Sequence, residues 1–220
     1  MFDIGIFAPF GADHERNIDY CRDAGASHIV INTGHVSEED APPPETLKAL
    51  AGHYAEREVT LAGLTPPRLS LDACNHADAR AREIDYMQRL IESMGHAGVT
   101  YVHFYLCADA APQDSDERLT TWNGLVDIYR ELGQIASDAG VQISTHTFHV
   151  PDRLIWNQET FGNLMAETDS PAHGLTFCQG KSNMAGDDLP GGIRHFGYKV
   201  SMVHVHDIAI KPQGLRTPEI

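Results

Sequence analysis

The sequence predicts an α/β protein, a (β/α)8 TIM-barrel type of fold that is incomplete with about seven strands, and three observations carry the prediction. Helix-like segments ending in Ala-Gly or Gly run straight into apolar, β-branched stretches at "CRDAGASHIVINT", "MGHAGVTYVHFYL", "ASDAGVQISTH" and "RHFGYKVSMVHVH". Amphipathic segments lie between those stretches. The first strand is followed by "APFGADHER", which lacks the glycine-rich phosphate turn of a dinucleotide fold and so disfavours an open doubly wound sheet.

In chain order the pattern places strands near 2–8, 28–33, 58–64, 99–106, 141–147, 174–178 and 199–206. Each glycine just past a helix supplies a left-handed cap at little steric cost and reads as a helix stop. "APPPE" at 41–45 reads as a loop and a helix start. Ile84, Met87, Leu90, Ile91 and Met94 share one helical face, as do Trp122, Leu125, Val126, Tyr129, Leu132 and Ala136. Near-continuous apolar strands alternating with such helices imply a parallel sheet covered by helices, because parallel neighbours need crossover connections.

A complete barrel takes about 250 residues and eight strands. After the seventh strand only "DIAIKPQGLRTPEI" remains. The expectation is one partial barrel domain over 1–220, a fragment or a shortened form, with its open edge covered by other material, a homo-oligomer included.

The 220 residues, 42% hydrophobic and 21% charged, suffice for one sizeable core. A formal net charge of −15 disfavours nucleic acid as a partner. No run approaches the ~20 apolar residues of a membrane span, and the start "MFDIGIFAPFGADHE" lacks the pattern of a secretory signal. These readings place the chain in the cytoplasm and away from membranes. Cys21, Cys74, Cys107 and Cys178 are scattered, which fits reduced thiols.

Active sites of parallel barrels lie at the carboxyl ends of the strands. Strand five ends in "ISTHTFH", strand six in "LTFCQG" and strand seven in "SMVHVHD", so His146, Cys178 and His204 fall at comparable depth, 32 and 26 residues apart. Alone, Cys178 would be core filler and His146 a satisfied core histidine; His149 or His206 is an alternative ligand. Together they point to a metal site, because imidazole and thiolate bind divalent ions and buried polar groups without partners cost free energy. His103 in "YVHFYL" either faces the mouth or is structural, and His103 and Gln179 are the candidates for substrate contact. Asn32 and His35 either line the mouth or form a turn. Asp72, His76, Asp109, Asp114 and Asp116 read as solvated loop residues, and Asp188 as favourable at a helix start.

The stretches "SPAHGLTFCQG", "DDLPGGIRHFG" and "VSMVHVHDI" resemble the mannonate dehydratases, metal-dependent lyases of the xylose-isomerase-like group of barrels. The resemblance runs from about residue 140 to 208 and is most specific at the TFC element. It implies His146, Cys178 and His204 as ligands of Mn²⁺ or Fe²⁺, a small sugar acid as substrate, and conversion of D-mannonate to 2-keto-3-deoxy-D-gluconate and water. The family's last metal aspartate and its catalytic tyrosine lie beyond the seventh strand. His206 and His149 are then the nearest titratable candidates for general acid and base. The alternatives are a sugar isomerase or epimerase on the same barrel, and a non-catalytic metal-binding remnant.

Overall fold

A computed structural model describes residues 3–37, 40–105, 110–205, 208–210 and 216–218. Seven strands form one sheet in chain order: β1 (Gly5–Phe7), β2 (His28–Asn32), β3 (Thr60–Thr65), β4 (Tyr101–Tyr105), β5 (Gln142–His146), β6 (His173–Cys178) and β7 (Val200–His204). Every neighbouring pair is parallel. The expected strands are therefore present, each within a few residues of its expected span. Beyond them β8 (Ile208–Ile210) and β9 (Arg216–Pro218) pair antiparallel as a separate small sheet.

The sheet curls. β1 and β7 stand at its two ends, which in a flat sheet would be roughly 29 Å apart at about 4.8 Å per strand. Yet the Phe7 and His204 rings lie 5.0 Å apart, centroid to centroid. Contact between the first strand and the last is possible only if the sheet bends into an open barrel.

The helices are α1 (His14–Asp23), α2 (Pro44–Ala55), α3 (Leu71–Asn75), α4 (Ala77–Ala97), α5 (Ser115–Ala139), α6 (Gln158–Thr168), α7 (Gln179–Ala185) and α8 (Leu189–Phe196). Their ends follow local chemistry. Gly98 and Gly140 close α4 and α5 in the left-handed conformation, at φ 73° and 69°. Gly197 departs from this expectation: α8 stops before it, but its φ is −53° and the chain continues into a short 3-10 turn. Asp114 is no idle loop charge, because its carboxylate accepts the Asp116 and Glu117 N–H groups at 3.0 Å and caps α5. Asp188 stands at the start of α8 without a side-chain cap bond.

The predicted apolar faces are buried: Ile84, Met87, Leu90, Ile91 and Met94 from α4, and Leu125, Val126, Tyr129, Leu132 and Ala136 from α5. Burying one such large apolar side chain contributes about 1.5–3 kcal/mol. Trp122 is only half-buried, because its indole N–H reaches out to the Glu167 carboxylate at 2.9 Å. No helix among the described residues is long and apolar enough to cross a membrane.

Inside the barrel the floor is polar. Ser144 Oγ and Thr176 Oγ1 lie 2.7 Å apart, and Ser201 Oγ donates to Ser144 Oγ at 2.8 Å. The pairing of β6 with β7 shifts here: Leu175 faces Val200, but Thr176 faces Met202, so Ser201 is an extra, bulged residue. Beyond the bulge, His204 comes opposite Cys178.

Candidate metal centre at the barrel mouth

Three imidazoles converge above that polar floor. Among the described residues, His103, His146 and His204 have ligand nitrogens within 4.8 Å of one another. Their ring centroids are 5.6 Å (His103 to His146), 5.0 Å (His103 to His204) and 5.1 Å (His146 to His204) apart. The register explains the convergence. His103 on β4 faces Ser144 on β5, two residues before His146; His146 faces Thr176 on β6, which faces Met202 on β7, two residues before His204. The histidines climb from β4 to β5 and, past β6, to β7, and the stagger of tilted barrel strands brings such a diagonal to one height.

Burial keeps His103 and His146 neutral. His103 is pushed down to about 3, by burial first and then by His204. His146 is held well below the ordinary histidine value by burial, with His204 and His103 adding to the effect. Neutral imidazole is the form that binds a metal. Orientation follows from hydrogen bonds: His146 Nδ1–H donates to the Thr147 carbonyl at 2.6 Å, which leaves Nε2 with its lone pair. His103 Nδ1 lies 3.1 Å from Thr65 Oγ1, and its Nε2 is buried with no hydrogen-bond partner. A desolvated nitrogen left bare beside two other imidazoles is costly unless a cation takes its lone pair. On this donor set the residues fit a divalent ion.

Phe7 and Tyr105 wall the cluster, Phe7 edge-on to His103 at 4.9 Å and Tyr105 against the His146 ring at 4.5 Å. Cys178 is buried and stands outside the group of mutually close nitrogens. Its Sγ accepts the Lys181 N–H at 3.4 Å at the start of α7, and burial pushes the thiol up. Of the trio expected from strand spacing, His146 and His204 meet; the third position of the cluster belongs to His103, which the sequence offered as a substrate contact.

Gln179 opens α7 beside Cys178 and is half-buried. His149 lies in the loop after β5, with its Nδ1 accepting from Lys181 Nζ at 3.0 Å; burial lowers its pKa, and so do Lys181 and Arg153. His206, Asp207, Cys107 and Asp109 lie outside the described residues. Cys21, Cys74 and Cys178 are free thiols.

The sequence reading missed Tyr105, Arg68 and Lys181. Tyr105 carried the available signal, since it sits two residues beyond His103 and so on the same strand face.

Fold and site together define a parallel α/β barrel protein with a histidine-lined mouth. The chain belongs to the xylose isomerase-like TIM barrel family, whose family model matches residues 18–217. A mannonate dehydratase of Rhizobium meliloti (strain 1021) is 30% identical over 118 residues, 46% of this chain and 29% of that protein. The chain spans less than a third of the length of the curated relatives it matches. Among solved structures, mannonate dehydratase from Streptococcus suis serotype2 superposes with a TM-score of 0.79 at 16% identity, covering 99% of this chain and 75% of that one. IOLI protein with a bound zinc atom gives 0.77 at 17% identity over 98% and 77%. L-ribulose 3-epimerase gives 0.76 at 20% identity over 94% and 70%.

Proposed function

We propose that the chain carries the metal-binding part of a sugar-acid dehydratase that converts D-mannonate to 2-keto-3-deoxy-D-gluconate and water. The observation that carries this reading is the three-histidine cluster in which the buried His103 Nε2 has no hydrogen-bond partner. The mannonate dehydratase relatives supply the reaction class. His103, His146 and His204 would hold the ion, Mn²⁺ or Fe²⁺ by the resemblance; the resemblance itself implies His146, His204 and Cys178, which stands opposite His204 in register, and His103 is added by its place in the cluster. When bound, the ion supplies Lewis-acid stabilisation of the negative charge that develops beside the substrate carboxylate.

The protein's own groups would handle the protons. A base takes the proton from C2, its electron pair forms the C2–C3 double bond, and the C3 hydroxyl leaves as water with a proton from an acid. The resulting enol becomes the 2-keto acid. His149 and His206 are the candidates for base and acid; His149 would take the proton at Nδ1 only after releasing the Lys181 ammonium that it now accepts from. Phe7 and Tyr105 would exclude water from one side of the site.

The test is an assay of D-mannonate with added Mn²⁺, scored for 2-keto-3-deoxy acid, beside a panel of ketoses. A second reading, sugar epimerisation, is favoured by the likeness in fold to L-ribulose 3-epimerase. Isomers without any 2-keto-3-deoxy acid would sink the dehydratase reading. Bound metal without turnover on any substrate would make the chain a non-catalytic remnant.

A further inference from the structure

We propose that Lys181 and Arg68 form an anion subsite at the barrel mouth, which takes the carboxylate of an aldonate and makes the site selective for sugar acids over neutral sugars. The inference rests on the reading of the mouth as a sugar-processing site and adds the residues that would recognise the acid.

Two cations face the mouth from opposite elements. Lys181, on α7, is half-buried, and its Nζ donates to His149 Nδ1 at 3.0 Å. Arg68, in the loop after β3, holds its guanidinium carbon 5.6 Å from the centre of the Tyr105 ring, the ring that lies against His146. The Lys181 backbone N–H donates to Cys178 Sγ at the end of β6, and Cys178 faces His204 in register, which sets the lysine at the rim of the histidine cluster. Neither cation pairs with a carboxylate among the described residues, in a chain whose formal net charge is −15.

A half-buried ammonium with no carboxylate partner among the described residues carries an uncompensated desolvation cost. A bound anion would offset that cost and accept charge-assisted hydrogen bonds from both. His149 acts as a positioning residue, because its neutral Nδ1 gives the ammonium a fixed acceptor and aims the remaining N–H bonds at the mouth. A neutral polyol gains nothing from this pair.

The experiment is calorimetric titration of the Mn²⁺-loaded chain with D-mannonate and with mannitol, which has the same carbon skeleton without the carboxylate. Mannonate should bind more tightly than mannitol, by roughly tenfold or more. Lys181→Gln should weaken mannonate about ten- to hundredfold and leave mannitol within about twofold, while Lys181→Arg restores most of the loss. Arg68 is exposed, so Arg68→Gln tests the subsite without disturbing the core and should weaken mannonate by about fivefold. Manganese content and thermal melting confirm that each variant is folded and loaded.

The inference is overturned if wild-type protein does not bind mannonate, if mannitol binds equally well, or if Arg68→Gln and the folded Lys181 variants bind mannonate like wild type. Selective, Lys181-dependent binding without turnover would remove the dehydratase reading and leave the subsite standing. Turnover that ignores Lys181 and Arg68 would do the reverse.

Discussion

Phe7 meets His204 edge to face, 5.0 Å between ring centroids, although the two residues belong to the first and last strands of the sheet. The same ring meets His103 at 4.9 Å. One half-exposed aromatic thus ties the open seam of the barrel to the histidine cluster, and Phe7→Ala removes both contacts. Each edge-on aromatic contact is worth about 0.5–1.5 kcal/mol. The expected result is a loss of about 1–3 kcal/mol in urea denaturation, together with weaker metal retention on dialysis.

The cluster geometry separates His103 from Cys178. Metal titration of His103→Gln should show affinity lower by about a hundredfold or more, since outer-shell partners alone carry about 10–100-fold. Cys178→Ala should lose less, because the sulfur stands outside the mutually close nitrogens and caps α7. A Cys178 variant that loses more metal than the His103 variant would contradict this order.

Stability of the metal-free protein should fall in acid. Burial drives His173 to about 4 and His103 to about 3. Both stay neutral in the fold, while the unfolded chain protonates them below about 6.5. Their contribution is therefore complete above pH 6.5 and is lost as pH falls towards 4 and then 3, by at most about 1.4 kcal/mol per pH unit for each histidine. Urea midpoints measured at about pH 7.5, 6 and 5 should decline below the first break. A flat profile contradicts the neutral assignment.

Gly124 on α5 has no room for a side chain, because a Cβ there would collide with the Cys74 carbonyl at the end of α3. That carbonyl also accepts from Arg80 at 3.1 Å and cannot simply turn away. Gly124→Ala should cost about 1–3 kcal/mol despite its better helix propensity, read from the thermal midpoint.

Strand positions were legible because four of the strands follow a glycine helix stop and most consist of apolar, β-branched residues that suit a covered parallel sheet. His146 and His204 were legible for a related reason, since both close a strand. The place of His103 was not, because it lies two residues before the end of β4 and reaches the same height only through the stagger of the strands. That stagger is a relation between chains of hydrogen bonds and leaves no mark on any one segment. The role of Cys178 was hidden by the absence of a loop, as α7 begins at the very next residue and takes the sulfur as a cap. Lys181 left no signal at all, for a single lysine in a short helix is ordinary until His149 and Arg68 are seen beside it.

The extra residue at Ser201 gives β7 two phases. Below it the strand is in step with helix packing through Val200; above it, Met202 and His204 are in step with Thr176 and Cys178. A chain that lost Ser201 would straighten the strand and still turn His204 inward. The bulge therefore works as an expansion joint: it takes up one extra residue below the rim and leaves His204 opposite Cys178.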